Sequence, residues 1–305
     1  MCATCGCGND SGTRVTLLTG PTAAVGEVHP HDHLHRPGDH DHQSAAGHHH
    51  DQHIGHGGDR GPAHRDQAPN TGRTIVLEQQ ILARNATLAE HNRHWLAARG
   101  VLAINLMSSP GAGKTTMLER TIATVGGSTR IAVIEGDQET PLDAERIRAV
   151  GCPVVQINTG AGCHLDADMV HNALQALDPG PGTLLFIENV GNLVCPALFD
   201  LGEAHRIVLT SVTEGADKPM KYPHMFGAAD LVLINKMDLL PYVDFDVDRF
   251  SGDVHRLNAH AEILQMTAIT TDGFTHWVEW LTRAVAAYRQ GDDHLDTGPR
   301  PGLGM

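Results

Sequence analysis

The segment Ser108-Ser109-Pro110-Gly111-Ala112-Gly113-Lys114-Thr115-Thr116 has the residue types of a phosphate cradle. Gly111, Ala112 and Gly113 can turn their backbone N–H groups toward a chain of phosphates. Lys114 can reach the β- and γ-phosphates, the Thr115 hydroxyl can bind Mg²⁺, and Thr116 extends the helix start. The strict pattern opens with glycine, where this chain has Ser108. Further on, Asn235-Lys236-Met237-Asp238 places a carboxylate at Asp238 that can accept from guanine N1–H and the exocyclic amino group. Adenine lacks the N2 amino group and has an acceptor at N1, so it would leave that carboxylate unpaired. The Lys236 stem can lie on the base, and Asn235 can tie this loop to the phosphate loop. Lys236 follows Lys114 by 122 residues (236 − 114). Together the two motifs favour GTP, with Thr267-Ala268 as a second loop on the base side.

Two acidic segments stand between them, Glu135-Gly136-Asp137 and Glu188-Asn189-Val190-Gly191. Asp137 and Glu188 are candidates to hold Mg²⁺ or its waters and to sense the γ-phosphate. The alternative for each is a solvated strand end. Gly191 could donate its N–H to the γ-phosphate and act as a hinge. No glutamine placed to orient water and no arginine finger stands out, so hydrolysis is expected to be slow, on the order of 10⁻³ s⁻¹.

Soft ligands form three groups. Cys163-His164 lies in one loop and Cys195 follows the Glu188–Gly191 segment. Two thiolates and an imidazole suit Zn²⁺ or Ni²⁺, and three ligands leave room for a second subunit to complete the site. The alternative is a pair of ordinary buried cysteines. Cys152, beside Pro153, reads as structural. Cys2, Cys5 and Cys7 form C-x-x-C-G-C, too close together for good mutual disulfides but able to surround one ion, and square-planar completion by backbone nitrogens would suit Ni²⁺. Residues 29–64 hold twelve of the 22 histidines, interleaved with Asp, Gly and Pro. That pattern reads as metal buffering rather than as a tag or a solvated linker of biased composition.

These groups need a scaffold. Apolar runs at Leu102–Met107, Ile131–Glu135, Val154–Ile157, Leu184–Ile187, Ile207–Val212, Leu231–Asn235 and Glu262–Met266 alternate with helical patterns. The runs have the length of strands buried on both faces. The expected fold is α/β, a mostly parallel P-loop sheet with helices on both faces, whose ligands sit at the carboxyl ends of the strands. Ile75 to Arg99 reads as a helix, broken near Asn85. Residues 1–72 are expected to be a mostly disordered Cys/His-rich metal-binding extension, 73–290 the GTPase domain and 291–305 a flexible tail.

Composition narrows the function. A formal net charge of -14 over 305 residues disfavours nucleic-acid or anionic-membrane surfaces. No apolar run approaches the ~18 residues of a membrane span, and the N-terminus lacks the marks of a signal peptide. A soluble, cytoplasmic chain is the expectation.

The chain resembles the hydrogenase nickel-incorporation GTPases, the HypB family of nickel-dependent P-loop GTPases. The resemblance rests on GAGKTT (111–116), IEGDQET (134–140), GCHLDADM (162–169), ENVGNLVCP (188–196), DKPMKYP (217–223) and NKMD (235–238). It covers about residues 75–290. It implies a homodimer favoured by GTP and bridged by metal at Cys163, His164 and Cys195. It also implies a separate tight nickel site at Cys2, Cys5 and Cys7, and a mobile loop carrying Lys218 near the nucleotide or the dimer interface. The implied function is GTP-driven nickel delivery to an accessory metallochaperone or the hydrogenase large-subunit precursor. Two other readings are a nickel storage protein acting through its histidines and a urease-accessory GTPase. The latter group carries its metal residues as Cys-Pro-His, whereas here they are split into Cys163-His164 and Cys195-Pro196.

Overall fold

The computed structural model describes residues 13–18 and 71–291, without the side chains of 71–77. Among the described residues eight strands form one sheet: β1 (Arg14–Leu18), β2 (Leu102–Ser108), β3 (Ile131–Asp137), β4 (Val154–Asn158), β5 (Leu184–Glu188), β6 (His205–Ser211), β7 (Leu231–Asn235) and β8 (Glu262–Gln265). Their order is β1-β4-β3-β5-β2-β6-β7-β8. All pairings are parallel except β1 with β4. Each of the seven expected runs is a strand, and the run at 207–212 gives up Val212 to a 3₁₀ turn.

Strand β1 is an ordered piece within 1–72, the span expected to be mostly disordered. Its register, Arg14 opposite Asn158 through Leu18 opposite Val154, supplies backbone partners to the outer edge of β4. A short segment carrying Val15, Leu17 and Leu18 can thus be ordered by a sheet edge although it has no core of its own.

Side chains alternate across the strands. Leu102, Ile104 and Leu106 of β2 join Val133, Phe186 and Leu209 under the helices α2 (Lys114–Val125) and α8 (Phe274–Gln290). Trp277 of α8 fills this layer and donates from Nε1 to Thr121 Oγ1 at 2.9 Å. The opposite face, with Ala103, Ala132 and Leu185, packs against α1 (Thr71–Ala98) and α4 (Ala167–Leu177). Toward the far edge, α6 (Pro223–Gly227) and α7 (Val247–Leu257) cover Val208 and Val232.

Helix α1 runs unbroken through Asn85, against expectation. The Asn85 side chain turns away from the helix backbone. Its amide donates to Asp200 O at 2.7 Å and its oxygen accepts from Ala167 N–H at 2.9 Å. With those partners it does not compete for the helical ladder. Asn92 does the same two turns on, donating to Ala167 O (2.8 Å) and Leu201 O (3.1 Å).

A buried ion-pair chain continues this seam. Arg93 donates to both oxygens of Asp200 at 2.8 Å. Arg206 of β6 donates from Nε to Glu203 at 2.5 Å and lies 3.9 Å from Asp200. Burial works against the Asp200 charge, yet Arg206 and Arg93 hold its carboxyl below the usual range. Removing one member of such a group leaves an uncompensated buried charge. Arg206→Met is therefore expected to cost about 3–5 kcal/mol of unfolding free energy in urea titrations. A loss in the ~0–1 kcal/mol range of surface pairs would contradict this account.

Candidate functional site

The carboxyl ends of β2, β3, β5 and β7 meet above the sheet, and the loops after them carry most of the candidate residues. The chain leaves β2 at Ser108 and enters α2 at Lys114. Gly113 has φ +101°, and a Cβ there would lie 2.7 Å from Asn235 Nδ2. Only glycine fits both the backbone and the space. Lys114 Nζ donates to Ser108 Oγ at 2.8 Å, so the serine in the place of the first glycine serves as a hydroxyl partner for the lysine. Thr115 Oγ1 donates to Glu188 Oε1 at 2.7 Å. Thr116 accepts from Arg146 Nη2 at 3.1 Å, and Arg146 also holds Glu119. Ser109 donates to Glu214, whose carboxylate lies 3.7 Å from Lys218 Nζ.

The base-side loop is fixed to this cradle. Asn235 donates to Ala112 O (2.9 Å) and accepts from Ala268 N–H (3.0 Å), so one side chain joins the loops after β2, β7 and β8. Lys236 sits in the left-handed region at φ +60° and donates from Nζ to Gly111 O at 2.8 Å. Asp238 is exposed in the 3₁₀ helix Met237–Tyr242. Thr267 and Ala268 are buried, and their carbonyls accept from Arg120 at 3.3 and 3.0 Å.

Of the acidic candidates, Glu188 lies against the phosphate loop. Burial raises its pKa, opposed by Lys114 and by the Thr115 hydrogen bond. Asp137 uses Oδ1 to cap the turn into α3 (Leu142–Ala149), accepting from the N–H groups of Glu139 and Thr140, both at 2.8 Å. Sequence reasoning passed over Glu135. It lies opposite Glu188 in the β3–β5 register, and burial, with the Glu188 charge next, pushes its pKa up to about 9. The signal was available: Glu135 has the same parity as Ile131 and Val133, so it belongs to the buried face under α2. Glu214 and Arg146 carried no such mark, because long-range folding alone brings them to Ser109 and Thr116.

The soft ligands converge. The Cys163 and Cys195 sulfurs are 3.1 Å apart, Cys163 Sγ lies 3.8 Å from His164 Nδ1, and one donor atom of each residue falls within 4.8 Å of the others. Both cysteines are half-buried. His164 stacks on Phe199 with ring centroids 4.0 Å apart, and burial lowers its pKa, which favours the neutral, ligating imidazole. This donor set fits a borderline transition ion such as Ni²⁺ or Zn²⁺. Cys152 stays apart, buried under β3 and β4 with its thiol pushed up to about 12. Cys2, Cys5, Cys7 and the histidines of 29–64 lie outside the described residues.

The segment after β5 touches both centres. Glu188 meets Thr115. Asn189 Oδ1 accepts from Leu165 N–H at 3.2 Å, and Asn192 donates to Cys163 O at 3.2 Å. A Cβ on Gly191 would lie 3.1 Å from Pro110 Cα, so this turn rests directly on the phosphate loop.

The chain is similar to known proteins in sequence and fold. Residues 102–265 match the family described as CobW/HypB/UreG, nucleotide-binding domain. The chain is 54% identical over 226 residues to the hydrogenase maturation factor HypB of Azotobacter vinelandii, covering 73% of this chain and 74% of that one. The crystal structure of HypB from Archaeoglobus fulgidus superposes with a TM-score of 0.63 at 42% identity, covering 67% of this chain and 99% of that one. HypB from Helicobacter pylori, solved in complex with nickel, gives 0.63 at 38% identity over 68% of this chain and 96% of that one. With the phosphate loop, the base-side loop and the thiolate–imidazole cluster held on one mostly parallel sheet, and with this degree of identity, the chain belongs to the HypB branch of the CobW/HypB/UreG nucleotide-binding family.

Proposed function

We propose that the protein is a GTP-hydrolysing nickel metallochaperone that delivers nickel during maturation of NiFe hydrogenase. One observation carries this reading: the 188–195 segment is bonded at one end to Thr115 of the phosphate loop and at the other reaches Cys163 and Cys195. A displacement of Glu188 or Gly191 that follows the γ-phosphate would alter the distance between the two thiolates. Nickel is the cargo, held by Cys163, His164 and Cys195, and Zn²⁺ can take the same donors.

GTP sits with its phosphates over Gly111–Thr116 and its base against Asn235, Lys236, Asp238, Thr267 and Ala268. Lys114 neutralises phosphate charge. Thr115 and Glu188 present oxygen donors suited to Mg²⁺, with Asp137 near the same strand ends. Mg²⁺, when bound, offsets charge on the phosphates. The chain's own residues fix the phosphate chain and exclude adenine. Slow hydrolysis is the expectation, since the sequence offers no glutamine or arginine that stands out as a water-orienting residue or finger.

Three ligands leave a four-coordinate ion open, and the exposed Val194 and Leu198 flank Cys195. Both features support a homodimer that GTP favours. The recipients are an accessory metallochaperone or the hydrogenase large-subunit precursor, in the cytoplasm. The relative solved with nickel and those named hydrogenase maturation factors support the cargo and the pathway. Among the described residues no helix is long and apolar enough to cross a membrane.

The test is reciprocal coupling. Nickel affinity at the Cys163/His164/Cys195 site is expected to differ between the GTP-analogue and GDP complexes by about 5- to 150-fold, and nickel must change the ratio of nucleotide affinities by the same factor. Isothermal titration with sedimentation of the same samples measures both. Equal nickel affinity in the two nucleotide states would remove the mechanism.

A further inference from the structure

Two carboxylates lie side by side beneath the phosphate loop, and only one has been given a role. Glu135 and Glu188 are register partners at the ends of the adjacent parallel strands β3 and β5. The residues two and four positions before them, Val133 and Ile131 in β3 and Phe186 and Leu184 in β5, belong to the core layer under α2. By alternation both carboxylates point to that face, where adjacent strands are only about 4.8 Å apart. They are 2% and 3% exposed. Glu188 Oε1 accepts from Thr115, but Oε2 of Glu188 and Oε2 of Glu135 have no hydrogen-bond partner among the described residues.

Two buried carboxylates with unpartnered oxygens are costly unless a positive charge joins them. Lys114 lowers the pKa of each, and so lies within electrostatic reach of both. Its Nζ, however, is donated to Ser108, and a bound triphosphate would draw it away from the pair. The charge left to fill the gap is then a hard cation with oxygen ligands, and the Thr115 hydroxyl on Glu188 adds a third oxygen of the right kind.

We propose that Glu135 supplies, beside Glu188, the second carboxylate of the divalent-cation site that accompanies the nucleotide. The assignment rests on the guanine-nucleotide reading above. It sets Glu135 apart from Asp137, whose Oδ1 is already engaged by two backbone N–H groups.

The experiment uses the full chain and Mn²⁺ as the probe. Free Mn²⁺ is read by electron paramagnetic resonance, and binding is counted as the uptake that added GDP produces, which excludes ions held by the histidine tract. Glu135→Gln is expected to weaken this Mn²⁺ binding by about 10- to 100-fold, while GDP affinity in EDTA stays at the wild-type value. Mn²⁺ affinity equal to wild type in E135Q would overturn the assignment, and would mean that the two carboxylates share a proton instead. Should E135Q fail to fold, Glu135→Asp replaces it: weaker Mn²⁺ uptake supports the assignment and wild-type uptake overturns it. Failure of the wild-type chain to bind GDP at all would sink the guanine-nucleotide reading itself, a result distinct from a wild-type-like E135Q.

Discussion

Asp238→Asn is expected to lower GTP affinity by about 10²- to 10⁴-fold and to raise affinity for xanthosine triphosphate. The carboxylate would accept from guanine N1–H and N2–H. Hydrogen bonds to a charged group are worth about 1.5–3 kcal/mol each, and two give ~3–6 kcal/mol, or about two to four powers of ten. Xanthine carries a carbonyl where guanine has the amino group, and the Asn amide N–H can donate to it. The fold should not notice the change. Asp238 is exposed, and the neighbouring Asn235 and Lys236 hold the loop through Ala112, Ala268 and Gly111. Equilibrium binding of fluorescent GTP and xanthosine triphosphate reads the switch. An unchanged GTP affinity would remove Asp238 from the base site and reopen the choice of nucleotide.

The second large effect concerns the thiolates. In a full-length chain with Cys2, Cys5 and Cys7 changed to serine, Cys195→Ala is expected to weaken nickel binding by about 10²-fold, and Cys163→Ala by as much. Four-ligand sites bind with ~10–16 kcal/mol, about 3 kcal/mol per ligand, and each 1.4 kcal/mol is tenfold. Guanine nucleotide affinity in the absence of nickel should survive in both variants, since neither cysteine belongs to the proposed nucleotide-binding residues. Sulfur-to-nickel charge-transfer absorption would report the lost thiolate. Full-strength absorption and wild-type affinity in both single variants would mean that nickel binds elsewhere, and the coupling through residues 188–195 would lose its cargo end.

Local sequence carried much of the scaffold. Seven of the eight strands were legible as short apolar runs: β2 to β7 are buried on both faces, a pattern that needs no knowledge of neighbours, while β8 is exposed at Glu262 and Gln265 and half-buried between them. Strand β1 was not legible: Arg14–Leu18 owes its order to the edge of β4, more than 130 residues away in the register of Arg14 with Asn158. The helix expected to break near Asn85 continues through that asparagine. Its actual partners, Asp200 and Ala167, come from distant loops.

The sequence by itself determined the chemistry on offer: a glycine-lined phosphate loop, a carboxylate suited to guanine, and soft donors at 163, 164 and 195. Residue type and short spacing set these, and both are local properties. The tertiary structure alone decided which groups meet. It set the Cys163 and Cys195 sulfurs 3.1 Å apart across 32 residues, brought Asn235 against Ala112, and buried Glu135 beside Glu188. Strand order is what makes these neighbours. β3 and β5 are adjacent in the sheet although β4 lies between them in the chain, and that adjacency is a property of the packed core that no short stretch of residues encodes.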